Sequence, residues 1–308
     1  MSHDRPVLGI SLMLGFCIAA PFGDALAKLL GGKMDVAQLV AIRMGLQVLL
    51  LAPFVWFASI SMGFGARDLR LSAVRALLHI AGIGCMFLSL RYLPLADAVA
   101  IAFVMPFIML LLGRYVLGEQ VGRRRILACC IGFIGTCMVM QPSFVEFGWP
   151  ALLPVCVAVI FALFMLVTRQ LAKSVDPIAL QLVSGLIACA FLFPLLLLFQ
   201  GWPGFALSWP NASGWGLAFA MGALGTAAHL LMTWALRFAP AATLAPMQYL
   251  EIPVAALLGW LIFNDFPNGL ALAGIAVTIG AGLYIILRER QLNWTERQER
   301  SEASHAEG

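Results

Sequence analysis

A handful of ionisable residues fall where hydrocarbon should be. Asp24 and Lys28 stand one helical turn apart in PFGDALAKLL (21–30), at the end of a run with no other charge between Pro6 and Gly32. Arg43 follows inside the next apolar run. Glu251 lies in the middle of a later one, flanked by Pro246 and Pro253, with Gln248 and Tyr249 just before it. His79 and His229 are lone histidines on apolar stretches. A charge at membrane depth costs several kcal/mol unless it finds a partner or water. Groups of this kind can recognise a small charged or hydrogen-bonding solute, and carboxylates and imidazoles can pass protons. No nucleophile triad, metal-ligand cluster or phosphate loop accompanies them, and GGK (31–33) lacks the rest of a P-loop. The sequence therefore calls for no cofactor, no metal and no nucleotide engine.

Each group has a structural reading beside a functional one. Asp24 and Lys28 form either an i,i+4 pair in which the lysine snorkels outward, or an outer recognition network with Arg43. Pro21, which loosens the helix just before Asp24, favours the network. Glu251 is too deep to snorkel. It is either a neutral structural acid or a site or proton-coupling residue, and the second reading is preferred. His79 and His229 are packing residues by default and proton-relay candidates otherwise. Asp97 is expected to cap its helix or pair with Arg91, and Glu119 and Asp265 to serve as solvated or capping residues at span ends. Phe103, Phe107, Phe161, Trp234 and Tyr249 could stack on a flat ligand, although lipid or core packing suffices for most of them.

The elements that position these residues must be membrane spans. Of 308 residues, 62% are apolar and 11% charged, against about 25% charged in soluble domains. About 20 apolar residues cross the ~30 Å hydrocarbon core. Polar or Gly/Pro-rich breaks define ten apolar runs, at 6–31, 36–60, 70–91, 94–117, 124–141, 148–169, 178–200, 212–237, 240–263 and 267–288. The first has Arg5 and an ALA sequence at 25–27, as a cleaved signal would, but it is near spanning length and carries Asp24; it is read as a retained span. All seven cysteines lie in apolar runs, none in a C-x-x-C pair, and are read as packing residues. The polar tail at 289–308 is expected to be disordered.

Lysine and arginine placement orients the chain. Fifteen collect on one side: Arg5, Arg67, Arg70, Arg75, Arg114, Arg123 to Arg125, Arg169, Lys173, Arg237, Arg288, Arg290, Arg297 and Arg300. Three (Lys28, Lys33, Arg91) collect on the other, and Arg43 is interior. Both termini are therefore expected in the cytoplasm. The chain also repeats itself. LRYLPLADA (90–98) is echoed by LRFAPAATL (236–244), LLG at 111–113 by LLG at 257–259, and Glu119 falls opposite Asp265. Five spans per half is an odd number, so the halves cross the membrane in opposite senses, an arrangement typical of transporters with a midplane site.

With DALAKLL, LRYLPLADAVAIAFVMPF, LGEQVGRRR and APMQYLEIPVAALLGWLIFNDFP, the chain resembles the drug/metabolite transporter superfamily, specifically its EamA-type carriers, from residue 6 to residue 288. Its final segment looks especially like carriers that take up S-adenosylmethionine, and close relatives include riboflavin carriers. Asp265 stands where the family usually has glutamate, which keeps the charge. The resemblance implies an all-α membrane protein of ten helices in two inverted five-helix repeats, 6–141 and 148–288. It also implies a secondary transporter of the bacterial inner membrane that moves a small organic metabolite by alternating access. Candidate substrate or coupling residues are Asp24, Lys28, Arg43, His79, Gln248, Tyr249 and Glu251. The expected partners are a small-molecule substrate and the lipid bilayer, not nucleic acid, with proton coupling and a homodimer left open. An intramembrane enzyme built on an Asp/His couple and a passive channel are the rival classes.

The charge distribution makes one direct prediction. On a cysteine-free background, Val121→Cys stays unlabelled by an impermeant maleimide in intact cells and is labelled once the membrane is opened. Labelling from outside intact cells contradicts the orientation.

Overall fold

The computed structural model describes residues 5–119, 121–140, 148–265, 268–270, 272–284 and 287–288, so the expected tail at 289–308 lies outside the described residues. Every regular element among them is helical. The first half contains α1 (Pro6–Leu30), α2 (Val36–Phe57), α3 (Ala66–Ser89), α4 in two pieces (Leu95–Ala102 and Met105–Tyr115) and α5 (Arg123–Met140). The second half contains α6, which runs from a 3-10 turn (Trp149–Ala151) into Leu152–Ala172. It continues with α7 (Pro177–Leu198), α8 (Ala212–Phe238) and α9 (Ala241–Leu244, a 3-10 stretch Ala245–Leu250, then Glu251–Phe263). An apolar helix Leu272–Tyr284, here α10, follows. Eight of the ten are long and apolar enough to cross a bilayer. In α5 and α10 the apolar stretches are shorter, Ile126–Met138 and Leu272–Tyr284.

Local chemistry sets several of the boundaries. α3 begins four residues before the expected 70, because the Asp68 carboxylate accepts the Gly65 N–H at 3.3 Å and closes the first turn. Asp176 accepts the N–H groups of Ile178 and Ala179 and starts α7 ahead of Pro177. Asn211 does the same for Gly214 at the start of α8.

The helices pack as two inverted halves, and the contacts come in related pairs. α1 lies along α8 as α3 lies along α6; α2 meets α8 as α3 meets α7; α1 meets α9 as α4 meets α6. The α2–α7 and α4–α9 contacts map onto themselves. Glycines permit the closest approaches, as expected where helices associate in lipid by van der Waals packing. At Gly9 a side chain would run into Ala239 and the Ala235 carbonyl of α8, and at Gly82 a Cβ would lie 2.7 Å from the Phe161 ring of α6.

The breaks in α4 and α9 follow the same relation. α4 restarts at Met105 and α9 at Glu251, which is the register set by pairing LRYLPLADA with LRFAPAATL. Each restart is followed closely by a proline, Pro106 or Pro253, which cannot donate to the preceding turn. Glu251 thus occupies the first turn of a helical piece deep in the bundle, where the helix dipole favours a carboxylate.

Polar residues gather at two ends. At one, Arg91 meets Asp35 at 3.1 Å, Asp35 accepts the Ala206 N–H, and Gln38 accepts the Ser208 N–H. At the other, the Arg5 N–H donates to the Phe238 carbonyl, and Arg237 donates to the Val175 carbonyl. Two residues depart from the expected placement. Arg91 takes Asp35 as a partner, because the α2 start lies against the α3–α4 turn. Arg75, counted above with the loop charges, is wholly buried. It donates to Thr168, Ser184 and Gln181 and lies over the Phe164 ring at 4.6 Å. An arginine about two and a half turns into a helix can turn inward when neighbouring helices offer enough oxygens to take its donors.

Candidate functional site

Arg43 is the point from which the site is built. It projects from α2 toward α8, where Gly225 leaves room: a Cβ there would lie 2.5 Å from Cζ of the guanidinium. Nη2 donates to the Gly225 carbonyl at 3.2 Å and lies 2.9 Å from Nδ1 of His229. Nδ1 also lies 3.1 Å from the Gly225 carbonyl, so the ring nitrogen is engaged by both Arg43 and the backbone, and the tautomer decides which of them it bonds. Among the described residues, Arg43 Nη1 and His229 Nε2 are both buried without a partner. Two polar atoms in the bundle are thereby left for something else to satisfy, since an unmet buried polar group costs about 1–3 kcal/mol.

Both residues line a cavity of about 80 Å³. Asp24 of α1 and Glu251 of α9 line the same cavity. None of Asp24, Glu251 and Arg43 forms a direct ion pair within 4 Å among the described residues. Opposite charges therefore face one space without cancelling at contact. Phe16, Phe87, Phe103 and Phe161 supply aromatic wall, with Met86, Met105 and Met221 between them. A second, larger groove of about 820 Å³ lies among Phe193, Leu197, Trp209, Trp215 and Phe219 and is almost wholly apolar. It offers no charge to a polar solute.

The remaining candidates separate cleanly. His79 lies behind His229, their ring centroids 4.4 Å apart, and stacks on Phe164 at 4.7 Å. It backs the site and does not line the cavity. Gln248 and Tyr249 are fully buried in the 3-10 stretch of α9. Gln248 meets the Met165 sulfur at 3.1 Å, and Tyr249 donates to the Cys129 carbonyl at 3.2 Å while its ring lies 5.7 Å from Phe103. They hold the break in α9 and present nothing to the cavity.

Lys28 requires a correction. It does not pair with Asp24 or join Arg43. Its ammonium donates to the Leu93 carbonyl at 2.8 Å, lies 4.0 Å from Asp265 and sits 5.0 Å over the Phe263 ring. The i,i+4 spacing allowed the Asp24 pair, but Asp24 faces the cavity while the longer lysine reaches the α3–α4 and α9–α10 turns. Glu119, expected as a solvated or capping acid, accepts the Ala241 and Ala242 N–H groups at the start of α9 and also meets Arg169 at 3.4 Å, while Asp265 lies 4.0 Å from Lys28. Reading each span alone missed His229 as a lining residue and the whole Arg75 network, since both depend on which helices meet. Gly225 carried the one local signal, a small residue one turn before a histidine. Among the described residues no three His, Cys, Asp or Glu gather as metal ligands.

A family model described as the EamA-like transporter family matches twice, at residues 7–141 and 148–288. The chain is 24% identical over 288 residues to an S-adenosylmethionine uptake transporter of Rickettsia prowazekii, covering 92% of this chain and 94% of that one. It is 31% identical over 223 residues to a riboflavin transporter of Rhizobium johnstonii, covering 70% and 69%. A crystal structure at 19% identity superposes with a TM-score of 0.69 over 91% of this chain and 97% of that one, which shows a shared fold.

The corrected pairing is measurable by double-mutant cycles on thermal stability. Lys28→Met with Asp265→Asn should show a coupling of about 0.2–1 kcal/mol, as for other partly exposed pairs. Lys28→Met with Asp24→Asn should be additive within about 0.5 kcal/mol. A strong coupling of Lys28 to Asp24 restores the helical pair.

Proposed function

The chain belongs to the EamA-like transporter family, and on that footing we propose that it is a secondary carrier of the bacterial inner membrane. It moves a small organic metabolite by alternating access, with both termini in the cytoplasm and the Arg43 cavity as its binding site; at about 80 Å³ that cavity has to widen toward the ~300 Å³ or more such a solute needs. The substrate class we favour is an amino-acid-derived metabolite that carries both signs of charge, with S-adenosylmethionine as the leading compound. The observation that carries this reading is the cavity itself: one guanidinium and one imidazole face two carboxylates across an aromatic wall. Arg43 and His229 would take a carboxylate, Asp24 and Glu251 an ammonium or sulfonium, and the phenylalanines a flat base. The full-length match to a relative named for S-adenosylmethionine uptake supports the same class.

Riboflavin is the second reading, favoured by the four phenylalanines and by the match to a relative named a riboflavin transporter. It has no net charge, so it would lean on stacking and leave both acids unused. That makes Glu251 the residue that separates the two substrates. The acids also give the carrier groups able to exchange a proton for solute, which is the coupling we favour. Catalysis fits the site less well. His229 is the one histidine among the described residues that lines the cavity, and its Nδ1 is engaged by Arg43 and by the Gly225 carbonyl, away from any reactant.

Glu251→Gln keeps the volume and removes the charge. In proteoliposomes it should insert normally and lower S-adenosylmethionine flux at least tenfold, equivalent to about 1.4 kcal/mol. Unchanged flux in a well-folded variant would return Glu251 to a structural role, and riboflavin flux without S-adenosylmethionine flux would favour the second reading.

A further inference from the structure

The two ends of the bundle carry related cation–carboxylate pairs in different states. Lys28 lies 21 residues after position 7, where the first family match begins, and Arg169 lies 21 residues after position 148, where the second begins. Their carboxylate partners are also equivalent, since Glu119 and Asp265 occupy the same place after LRYLPLADA and LRFAPAATL. Each cation in addition grips a backbone carbonyl at the end of its own half's third helix. Lys28 donates to the Leu93 carbonyl after α3, and Arg169 donates to the Leu236 and Arg237 carbonyls of α8. Each cation thus ties the end of its half's first helix to the end of that half's third helix and to the acid that follows the other half's fourth helix.

The two pairs differ in how firmly they are made. Glu119 meets Arg169 at 3.4 Å and also accepts the Ala241 and Ala242 N–H groups at the start of α9, at 3.1 and 2.9 Å. The side chains are 3% and 11% exposed. The Lys28–Asp265 pair sits at the 4.0 Å limit, with side chains 18% and 42% exposed. A carboxylate shared between a guanidinium and two helix-terminal amides is held by three charge-assisted contacts, whereas a partly exposed lysine pair contributes at most about 1 kcal/mol. The cavity lies toward the loose end: its wall includes Asp24, Arg43, Met86 and Phe87, all from the α1, α2 and α3 segments nearest Lys28.

From this geometry we propose that Arg169–Glu119 and Lys28–Asp265 are alternating latches. One is locked while the other loosens, and the present arrangement is the outward-facing state, closed at the Arg169 end. The inference rests on the alternating-access reading and adds to it the residues that set the balance. A two-state carrier has to hold one end shut while the other opens. Inverted repeats supply both locks from one design, because what closes one end has its counterpart at the other. Breaking the tight latch should therefore shift the population toward the inward-facing state, and breaking the loose one should leave the outward-facing state in place or enrich it.

Sided labelling tests this without reference to substrate. On a cysteine-free background, Met105→Cys places a reporter in the cavity wall. The protein is reconstituted in a known orientation, and an impermeant maleimide is applied from each face. The reporter should label from the Lys28 face in the otherwise unaltered protein. Adding Glu119→Gln should raise labelling from the Arg169 face at least threefold and lower it from the Lys28 face. Asp265→Asn should not raise labelling from the Arg169 face. Glu119→Asp, which keeps the charge and shortens the reach, should give an intermediate shift. Unchanged sidedness in inserted Glu119→Gln overturns the proposal. So does failure of both Glu119 variants to insert, which would make the pair a folding element. Counterflow of S-adenosylmethionine and of riboflavin through the same vesicles tests the carrier reading separately: its absence removes that reading, while the labelling still decides the latch.

Discussion

Arg43 is held in the membrane interior by a carbonyl and an imidazole, not by a carboxylate, and much of the site follows from that choice. A guanidinium paired directly with Asp24 would have been electrostatically satisfied and chemically silent. Held instead at Gly225 and His229, it keeps one donor unmet and leaves both nearby acids unpaired at contact distance. The arrangement is tolerable because the cavity admits polar company, whether water or solute. Its instability when empty is what makes it selective: a solute that brings a carboxylate and a cation meets groups already desolvated and oriented.

The same constraint explains why α4 and α9 are broken. A continuous helix satisfies its own backbone and has nothing to offer a ligand. The 3-10 stretch Ala245–Leu250 and the restart at Met105 place helix starts inside the bundle, and one of them carries Glu251. Gln248 and Tyr249, buried and bonded to Met165 and Cys129, are the supports that keep such a break rigid. Arg75, held by four side-chain oxygens and lying over the Phe164 ring on which His79 stacks, fixes the packing behind His229. Because the halves are inverted, a feature that opens the bundle at one end has a counterpart that shuts it at the other.

The fold was legible in the sequence because the bilayer imposes a length and a composition on every span. The repeat was legible because LRYLPLADA and LRFAPAATL mark the same α3–α4 and α8–α9 turns. The depth of Glu251 could be counted from Pro240, and the isolation of Arg43 from its neighbours in α2. What the sequence withheld was rotation about each helix axis. Asp24 and Lys28 share a face by spacing, yet a four-carbon stem lets the lysine leave that face for Leu93 and Asp265. Arg75 read as a loop charge because nothing local announces that Thr168, Ser184 and Gln181 wait on two other helices. His229 read as a packing residue for the same reason: its role comes from Arg43, 186 residues away in sequence.

Solute binding in the Arg43 cavity is the property on which the carrier's function turns. The most direct measurement is isothermal titration of S-adenosylmethionine and of riboflavin into the purified protein, beside a variant combining Arg43→Gln with Glu251→Gln. Saturable one-site binding of at least one of the two compounds is expected, weakened at least tenfold in the folded double variant. No binding of either compound to the unaltered protein, or equal binding by the double variant, would contradict a solute site at Arg43.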